Sequence, residues 1–389
     1  MTVEAGRREL RDLLVETGAL APDWEAAFEA VPRELFLPEV TWPDGGSAVF
    51  KADDPEGWRR WADANVPIAT QWDDGRHTGT DPGQVASSSS SAPGLVFWMF
   101  AELSVFDEAK VLEIGTGTGW CAALLSARLG EANVTSVEID EAVAEAARGA
   151  LTSAGWHPRL VVGDGLLGWP DGAPYDRILV TAGVRNVPRA WIEQTRPGGV
   201  IVMPWGTHYT GQSAVARLVV NDDGTASGRF SWATRFMHVR SQRLEWPDHE
   251  DCLSPGEDWP DGTRRSTTGV PVAEVVDESG YEAFDFVLGL LVPECARTYA
   301  RSPQGVQTMW LYGLADRSWA AVYFDENSRV YQGGPRGLWD EVEAAHRWWV
   351  ERGRPGHEEF GLTVTADGRQ EVWLGEPSAP VPCAASAVR

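Results

Sequence analysis

The first hundred residues of the chain follow no single period, but from residue 110 the apolar positions become regular. An apolar run closing on glycine, an Ala-rich stretch and a further apolar run succeed one another several times. That alternation is what a parallel sheet covered by helices produces. The runs place strands at 110–114, 134–139, 159–162, 177–181 and 200–203. Helices are predicted over 121–129 and 141–154, where Ala, Leu and Glu give high helix propensity, with Gly155 stopping the second. Segments 214–220 and 229–234 flank Asn221-Asp222-Asp223-Gly224, which predicts a hairpin closing the sheet with antiparallel strands.

The flanks have a different texture. Residues 1–80 start with helical character and pass into a Trp-, Asp- and Gly-rich stretch, 42–81, expected to form loops and short elements around the mouth of a site. Beyond residue 236, Pro, Gly, Asp and Trp dominate 245–269, a linker or long-loop composition. Further on, β-rich segments at 308–314 and 319–324 surround one helix, 337–352, which together suggest an α+β domain of ordinary size. The expected division is therefore 1–80, 81–235 and 236–389, with no internal repeat.

Composition narrows the partners. At 389 residues the chain exceeds the usual size of one compact core. Its 43% hydrophobic and 23% charged residues are those of a globular protein. No apolar run approaches the roughly 18 residues a spanning helix needs, and residues 1–20 are amphipathic without the apolar core of a secretory signal, so a cytoplasmic location is expected. A formal net charge of -24 argues against nucleic acid, which requires clustered Lys and Arg. Lys51 and Lys110 are the only lysines, which reads as a compositional bias. Cys121, Cys252, Cys295 and Cys383 are scattered, without a Cys-x-x-Cys pair or a His at metal spacing, and read as buried thiols rather than metal ligands.

The strongest chemical signal is Val111-Leu112-Glu113-Ile114-Gly115-Thr116-Gly117-Thr118-Gly119, a strand running into a glycine turn that opens a helix. Glycines there let the backbone approach a ligand where a Cβ would clash. A dinucleotide fold sets its third glycine three after the second, but residue 120 is Trp. Here the third glycine comes two after the second, with Glu113 two before the first, the arrangement of an S-adenosylmethionine site. The methionine carboxylate of that cofactor can meet N–H groups at the helix start, where the dipole favours an anion. Glu138, about twenty residues on at the end of the next strand, is placed to accept both ribose hydroxyls. Asp164, in Val162-Gly163-Asp164-Gly165, is placed to accept the adenine amino group. Either acid alone reads as a solvated loop residue or a helix cap. Their order at the carboxyl ends of successive strands makes them a set.

Several blocks now coincide in order: AFEAVPRELFLP from Ala27 to Pro38, Val66-Pro67-Ile68, Ser90-Ser91-Ala92-Pro93, VLEIGTGTGW from Val111 to Trp120, Gly163-Asp164-Gly165, PYDRILVTA from Pro174 to Ala182, and QTRPGGVIVMP from Gln194 to Pro204. Over roughly residues 1–220 the chain resembles the protein-L-isoaspartate O-methyltransferase family. The resemblance implies an α/β fold with a Rossmann-like class I methyltransferase sheet, helices on both faces, and an α+β C-terminal domain beyond it. It implies a carboxyl O-methyltransferase of the EC 2.1.1 class that uses S-adenosyl-L-methionine and releases S-adenosyl-L-homocysteine. Thr116, Thr118 and Gly165 join Glu113, Gly115, Gly117, Gly119, Glu138 and Asp164 as cofactor residues. Ser91 matches the serine that lies near the acceptor carboxylate in the family. Its bland reading is a turn residue in a mobile polar tract, because Ser87 to Ser91 are all serine.

The insertion at 42–81, the serine run and the long C-terminal region depart from the usual repair enzyme. They resemble the branch associated with ribosomally made peptides, in which an Asp of a macrocyclic precursor is esterified and then closes to an aspartimide. On that reading the C-terminal domain recognises the precursor peptide. The alternative is repair of isoaspartate in damaged proteins, and a third reading is a noncatalytic peptide-binding module. Because so acidic an enzyme repels an acidic peptide, a local cation should face the acceptor, and Arg185, in the loop after the fourth strand, is the candidate against a solvated surface Arg. Trp348 and Trp349 are candidates for lining a peptide groove or for core packing. His77 and His208 sit in loops and carry no assigned role.

Overall fold

The computed structural model describes residues 3–253, 263–276, 279, 281–303 and 305–382. Cys383 and residues 254–262 of the expected linker lie outside the described residues. The chain forms two compact units: unit 1 is Met1–Ala182, Pro188–Met203 and Arg217–Ala226, and unit 2 is Gly183–Val187, Pro204–Ala216 and Ser227–Arg389.

Unit 1 begins with helices α1 (Val3–Glu16) and α2 (Glu25–Ala30). Where loops were expected, four strands follow: β1 (Val40–Pro43), β2 (Val49–Phe50), β3 (Ile68–Trp72) and β4 (Ala86–Ser90). They form an antiparallel sheet in the order β2-β1-β3-β4. Helix α3 (Pro55–Ala62) is inserted between β2 and β3; Asp54 caps it by accepting from Gly57 N–H, and Pro55 occupies its first position. Its buried face, Trp58 and Ala62, packs with Leu37 and Ile68. The serine run therefore is a strand. Its low intrinsic β propensity is offset by pairing with β3 and by side-chain bonds, Ser87 Oγ to Gln71 Oε1 at 2.7 Å and Thr70 Oγ1 to Ser88 Oγ at 3.2 Å.

After α4 (Pro93–Leu103) the alternating pattern takes over: β5 (Val111–Ile114), α5 (Trp120–Leu129), β6 (Val134–Glu138), α6 (Glu141–Ser153), β7 (Arg159–Val162), β8 (Tyr175–Val180), α7 (Arg189–Gln194) and β9 (Thr195–Gly206). The strands pair in parallel in the order β9-β8-β5-β6-β7. Every residue of β5 and β6 is buried, as expected of strands covered on both faces. Helix α5, with Ala122, Ala123, Leu124 and Leu125 buried, packs on β6 and on α2, and α4 packs on β8. The β6 strand stops at Glu138, one residue short of the expected end, because Asp140 turns outward to cap α6, accepting from Ala142 and Val143 N–H. Strand β9 is far longer than the expected 200–203. β10 (Ser213–Val220) and β11 (Ala226–Thr234) follow, and the expected hairpin between them closes with Asn221 N–H donating to Thr225 O at 2.8 Å.

Unit 2 contains α8 (His249–Cys252), β12 (Arg264–Thr267), α9 (Ala283–Leu291), β13 (Cys295–Arg301), β14 (Gln307–Gly313), β15 (Trp319–Phe324), β16 (Arg329–Gly333), α10 (Leu338–Glu351), β17 (Phe360–Val364) and β18 (Gln370–Leu374). Five strands form an antiparallel sheet in the order β12-β16-β15-β14-β13. Helix α10, the expected 337–352 helix, lies against α9 and against β14 to β16. Trp349 belongs to the core rather than to a groove: it is 7% exposed, meets Phe284 edge-on and donates to Pro355 O. Trp348 lies half-buried beneath the Arg352 guanidinium. Among the described residues no helix is long and apolar enough to cross a membrane.

Candidate active site

Chemistry in unit 1 gathers at the carboxyl ends of β5, β6 and β7. Strand β5 delivers Gly115, whose N–H donates to Val137 O at 2.9 Å, and the turn closes with Gly119 N–H on Thr116 O at 2.9 Å. Gly115 has φ +95°, and a Cβ there would stand 2.7 Å from Thr181 Oγ1. Gly117 has φ +53°, and its Cβ would meet Ser89 O at 3.2 Å. These positions are glycine because both the conformation and the space forbid a side chain.

Glu138 is 9% exposed, and its carboxylate is held from two sides, Gly117 N–H to Oε2 at 3.0 Å and Asp140 N–H to Oε1 at 3.1 Å. It is thereby oriented on the glycine turn, with further lone pairs for a diol. Asp164 is exposed; its Oδ1 accepts from Leu166 N–H and so caps the short turn Gly165–Leu167. A Cβ at Gly163 would meet nothing within 4 Å, whereas one at Gly165 would stand 2.6 Å from Ile114 Cγ2.

Glu113 occupies a different place from the other acids. It is fully buried and accepts from Ser136 Oγ at 2.5 Å, and Ser136 in turn pairs with Thr116 Oγ1 at 2.6 Å. Its second oxygen has no partner among the described residues. Burial, against the Ser136 bond and with help from nearby Glu138, pushes the carboxyl up to about 8, so it is protonated at neutral pH. Glu113 and the buried Thr116 thus hold the loop from behind, and it is Gly115, Gly117 and Thr118 that remain partly open.

Three residues that sequence reasoning passed over complete this side. Ile139, Val162 and Leu167 are 49%, 46% and 65% exposed; Ile139 follows Glu138, Val162 precedes Gly163, and Leu167 lies three residues after Asp164. Large apolar side chains left open here suit a flat ring, and their signal was an apolar residue within three positions of each acid. The turn, an oriented buried acid, an exposed acid and apolar walls together fit S-adenosylmethionine.

The serine segment lies close by. Strand β4 brings Ser89 O and Ser88 Oγ against the position a Gly117 side chain would take. Gln71 on β3 donates to Asp140 Oδ2 at 3.2 Å, tying the same hairpin to the start of α6. Ser90 is 3% exposed. Ser91 is half-buried and, among the described residues, its hydroxyl has no partner, leaving it able to donate. His77 is not part of this group; its ring bonds Asp81 O at 2.7 Å and packs on Trp42.

Arg185 belongs to unit 2. It is 7% exposed, not a solvated surface residue, and its side chain donates to Thr207 O and Gln242 O. Its loop pairs with the 237–242 segment, Gly183 N–H to Met237 O at 2.8 Å and Val239 N–H to Gly183 O at 3.0 Å. Burial draws its guanidinium down to about 10, still a cation at neutral pH. No carboxylate pairs with it among the described residues. Burial, then Arg185, His208 and Arg243, pull nearby His238 down to about 3, and burial and Arg185 lower His208 as well. Among the described residues no group of three His, Cys, Asp or Glu side chains is placed to hold a metal, and Cys121, Cys252 and Cys295 are free thiols.

With this geometry in hand, comparison with known proteins is informative. The family described as protein-L-isoaspartate(D-aspartate) O-methyltransferase matches residues 61–244. A protein-L-isoaspartate O-methyltransferase of Thermococcus onnurineus is 35% identical over 199 residues, covering 50% of this chain and 76% of that protein. One of Opitutus terrae is 42% identical over 227 residues, covering 57% and 82%. A solved protein-L-isoaspartate O-methyltransferase structure superposes with a TM-score of 0.55 at 22% identity, over 95% of this chain and 100% of that one. That coverage reaches into the C-terminal region, so the long C-terminal extension does not by itself set this chain apart from enzymes of that description.

Proposed function

Because this chain belongs to the protein-L-isoaspartate O-methyltransferase family, we propose that it methylates the free carboxylate of isoaspartyl residues in peptides and proteins. It is an S-adenosylmethionine-dependent carboxyl O-methyltransferase with an α/β methyltransferase sheet. The observation that carries the substrate reading is the serine hairpin lying on the glycine loop, with the Ser91 hydroxyl unpartnered beside it.

The cofactor supplies an activated methyl group when bound. In our reading the glycine turn and the first turn of α5 would hold its carboxylate, Glu138 would hold the ribose hydroxyls, and Asp164, with Ile139, Val162 and Leu167, would hold the adenine. A carboxylate with an ordinary pKa near 4 is already ionised at neutral pH, so no residue has to remove a proton. The bound cofactor would supply its methyl group to one carboxylate oxygen, and no proton has to be moved. What the chain supplies is alignment and exclusion of water. Ser91 donates to the second carboxylate oxygen and so aims the first.

The precursor-peptide reading rested on the 42–81 stretch, the serine run and the C-terminal region, whereas the family match supports the isoaspartyl reading. Intact-mass analysis separates the two. Incubation with cofactor should add one methyl group to an isoaspartyl peptide and none to the same peptide with normal Asp. Methylation of a macrocyclic Asp peptide, followed by loss of methanol, with the isoaspartyl peptide untouched, would reverse the assignment.

A further inference from the structure

Arg33 sits in the short turn Arg33–Phe36 after Pro32, in the AVPRELFLP block, where it has no assigned role. Only 4% of it is exposed. Its guanidinium makes five hydrogen bonds: Nε to Ser90 Oγ at 2.9 Å, Nη1 to Ala64 O at 3.2 Å, and Nη2 to Val66 O at 3.0 Å, Ser90 O at 2.8 Å and Ser91 O at 3.0 Å. It lies 5.6 Å from the ring centre of Trp120, the first residue of α5, and Trp120 Nε1 donates to Val31 O. No carboxylate lies within ion-pair distance of it among the described residues. Burial draws it down to about 9, so it is a buried cation compensated by carbonyl dipoles and an aromatic face.

Such a residue is an expensive way to fill space, since an apolar side chain would do so without desolvating a charge. What the planar fork adds is direction. Two successive carbonyls and the intervening hydroxyl point at one rigid group, which fixes the peptide planes around Ser91 and leaves the Ser91 hydroxyl turned elsewhere. Asn65 Oδ1 holds the far end of the segment by accepting from Gly94 N–H at 2.8 Å. The ring of Trp120 ties the same guanidinium to the residue after Gly119, hence to the cofactor loop. We infer that Arg33 is a positioning residue for methyl transfer: it sets the register between the Ser90–Ser91 acceptor segment and the glycine loop without touching either substrate. The inference takes its assay substrate from the isoaspartyl reading above.

The test is Arg33→Lys beside Arg33→Ala in the full chain. Arg33→Lys keeps the charge and loses the fork. It should bind cofactor within about twofold of the parent, while kcat on an isoaspartyl peptide falls about 100-fold, the effect of misplacing a reacting group by about 1 Å. Guanidinium ion should restore part of the Arg33→Ala activity, and ammonium should not. Amide exchange over residues 88–94 should rise in Arg33→Lys while that over 111–119 stays as in the parent. Unchanged kcat in a folded Arg33→Lys, or parallel losses of cofactor affinity and kcat with no guanidinium rescue, would overturn the inference. If the parent leaves isoaspartyl peptide unmodified, the substrate reading falls on its own; the exchange measurement still decides Arg33, with unchanged protection at 88–94 counting against it.

Discussion

The glycine loop and the serine hairpin lie against each other in unit 1, yet they are specified in opposite ways. The loop is written in nine consecutive residues, and its shape follows from positive φ values and from backbone hydrogen bonds to neighbouring strands. The hairpin owes its place to partners far off in the chain. Arg33 reaches Ser90 and Ser91 across 57 and 58 residues, and Gln71 reaches Asp140 across 69. On the proposed function, a cofactor that many enzymes share would be met by a local code, and the acceptor, which differs between them, by tertiary contacts. The two halves should therefore fail separately.

The largest effect is expected from Gly115→Val. A β-branched residue at φ +95° with its Cβ 2.7 Å from Thr181 Oγ1 combines backbone strain with a clash, and cofactor affinity by calorimetry should fall at least about 100-fold, in line with strain of a few kcal/mol. Retained binding would mean that the turn is not the cradle. A paired measurement then sharpens the division. Ser91→Ala should lower kcat about tenfold and leave cofactor affinity within twofold, whereas Asp164→Ala should weaken cofactor binding about tenfold with kcat at saturation nearly kept, each the loss of one charge-assisted hydrogen bond. Comparable cofactor affinities in the two variants would erase the boundary.

The smallest effect concerns Glu113. The unfolded chain ionises it near 4.5, but the fold keeps it protonated up to about 8. Its contribution to stability is therefore complete below 4.5, is lost progressively as pH rises to about 8, and changes no further above that. Glu113→Gln keeps an acceptor for Ser136 and does not titrate. It should match the parent at pH 4.5 and exceed it at pH 8.5, by about 1–2 kcal/mol after relaxation of the buried site, read from urea midpoints. An equal difference at both pH values would show that Glu113 does not carry the proton.

The same contrast explains what could be read in advance. The parallel strands were legible because runs such as Val200-Ile201-Val202-Met203 are apolar without interruption, and Glu138 and Asp164 could be placed at or just after strand ends from their distances to the glycines. The placement of Glu113 was not legible, since a one-dimensional motif cannot tell an acid facing the cleft from one bonded to Ser136 beneath it. The sheet of β1 to β4 was invisible for a related reason. Pro43, Pro67 and paired glycines interrupt its pattern, and a serine tract becomes a strand only through what it pairs with. For Arg185 the sequence left a local cation or a solvated surface residue open, and its burial, with bonds to Thr207 O and to Gln242 O 57 residues away, could not be read from the loop alone.

The two units are interleaved along the chain, since unit 2 claims 183–187 and 204–216 before unit 1 is finished at residue 226. A ribosome therefore releases neither as an uninterrupted stretch. Unit 1 must keep its parallel sheet open for α7 and most of β9 while the first pieces of unit 2 emerge, and no cut at a single position excises one unit whole. An expression series truncated from the C-terminus would amputate unit 2 while leaving two of its fragments stranded within the remaining polypeptide.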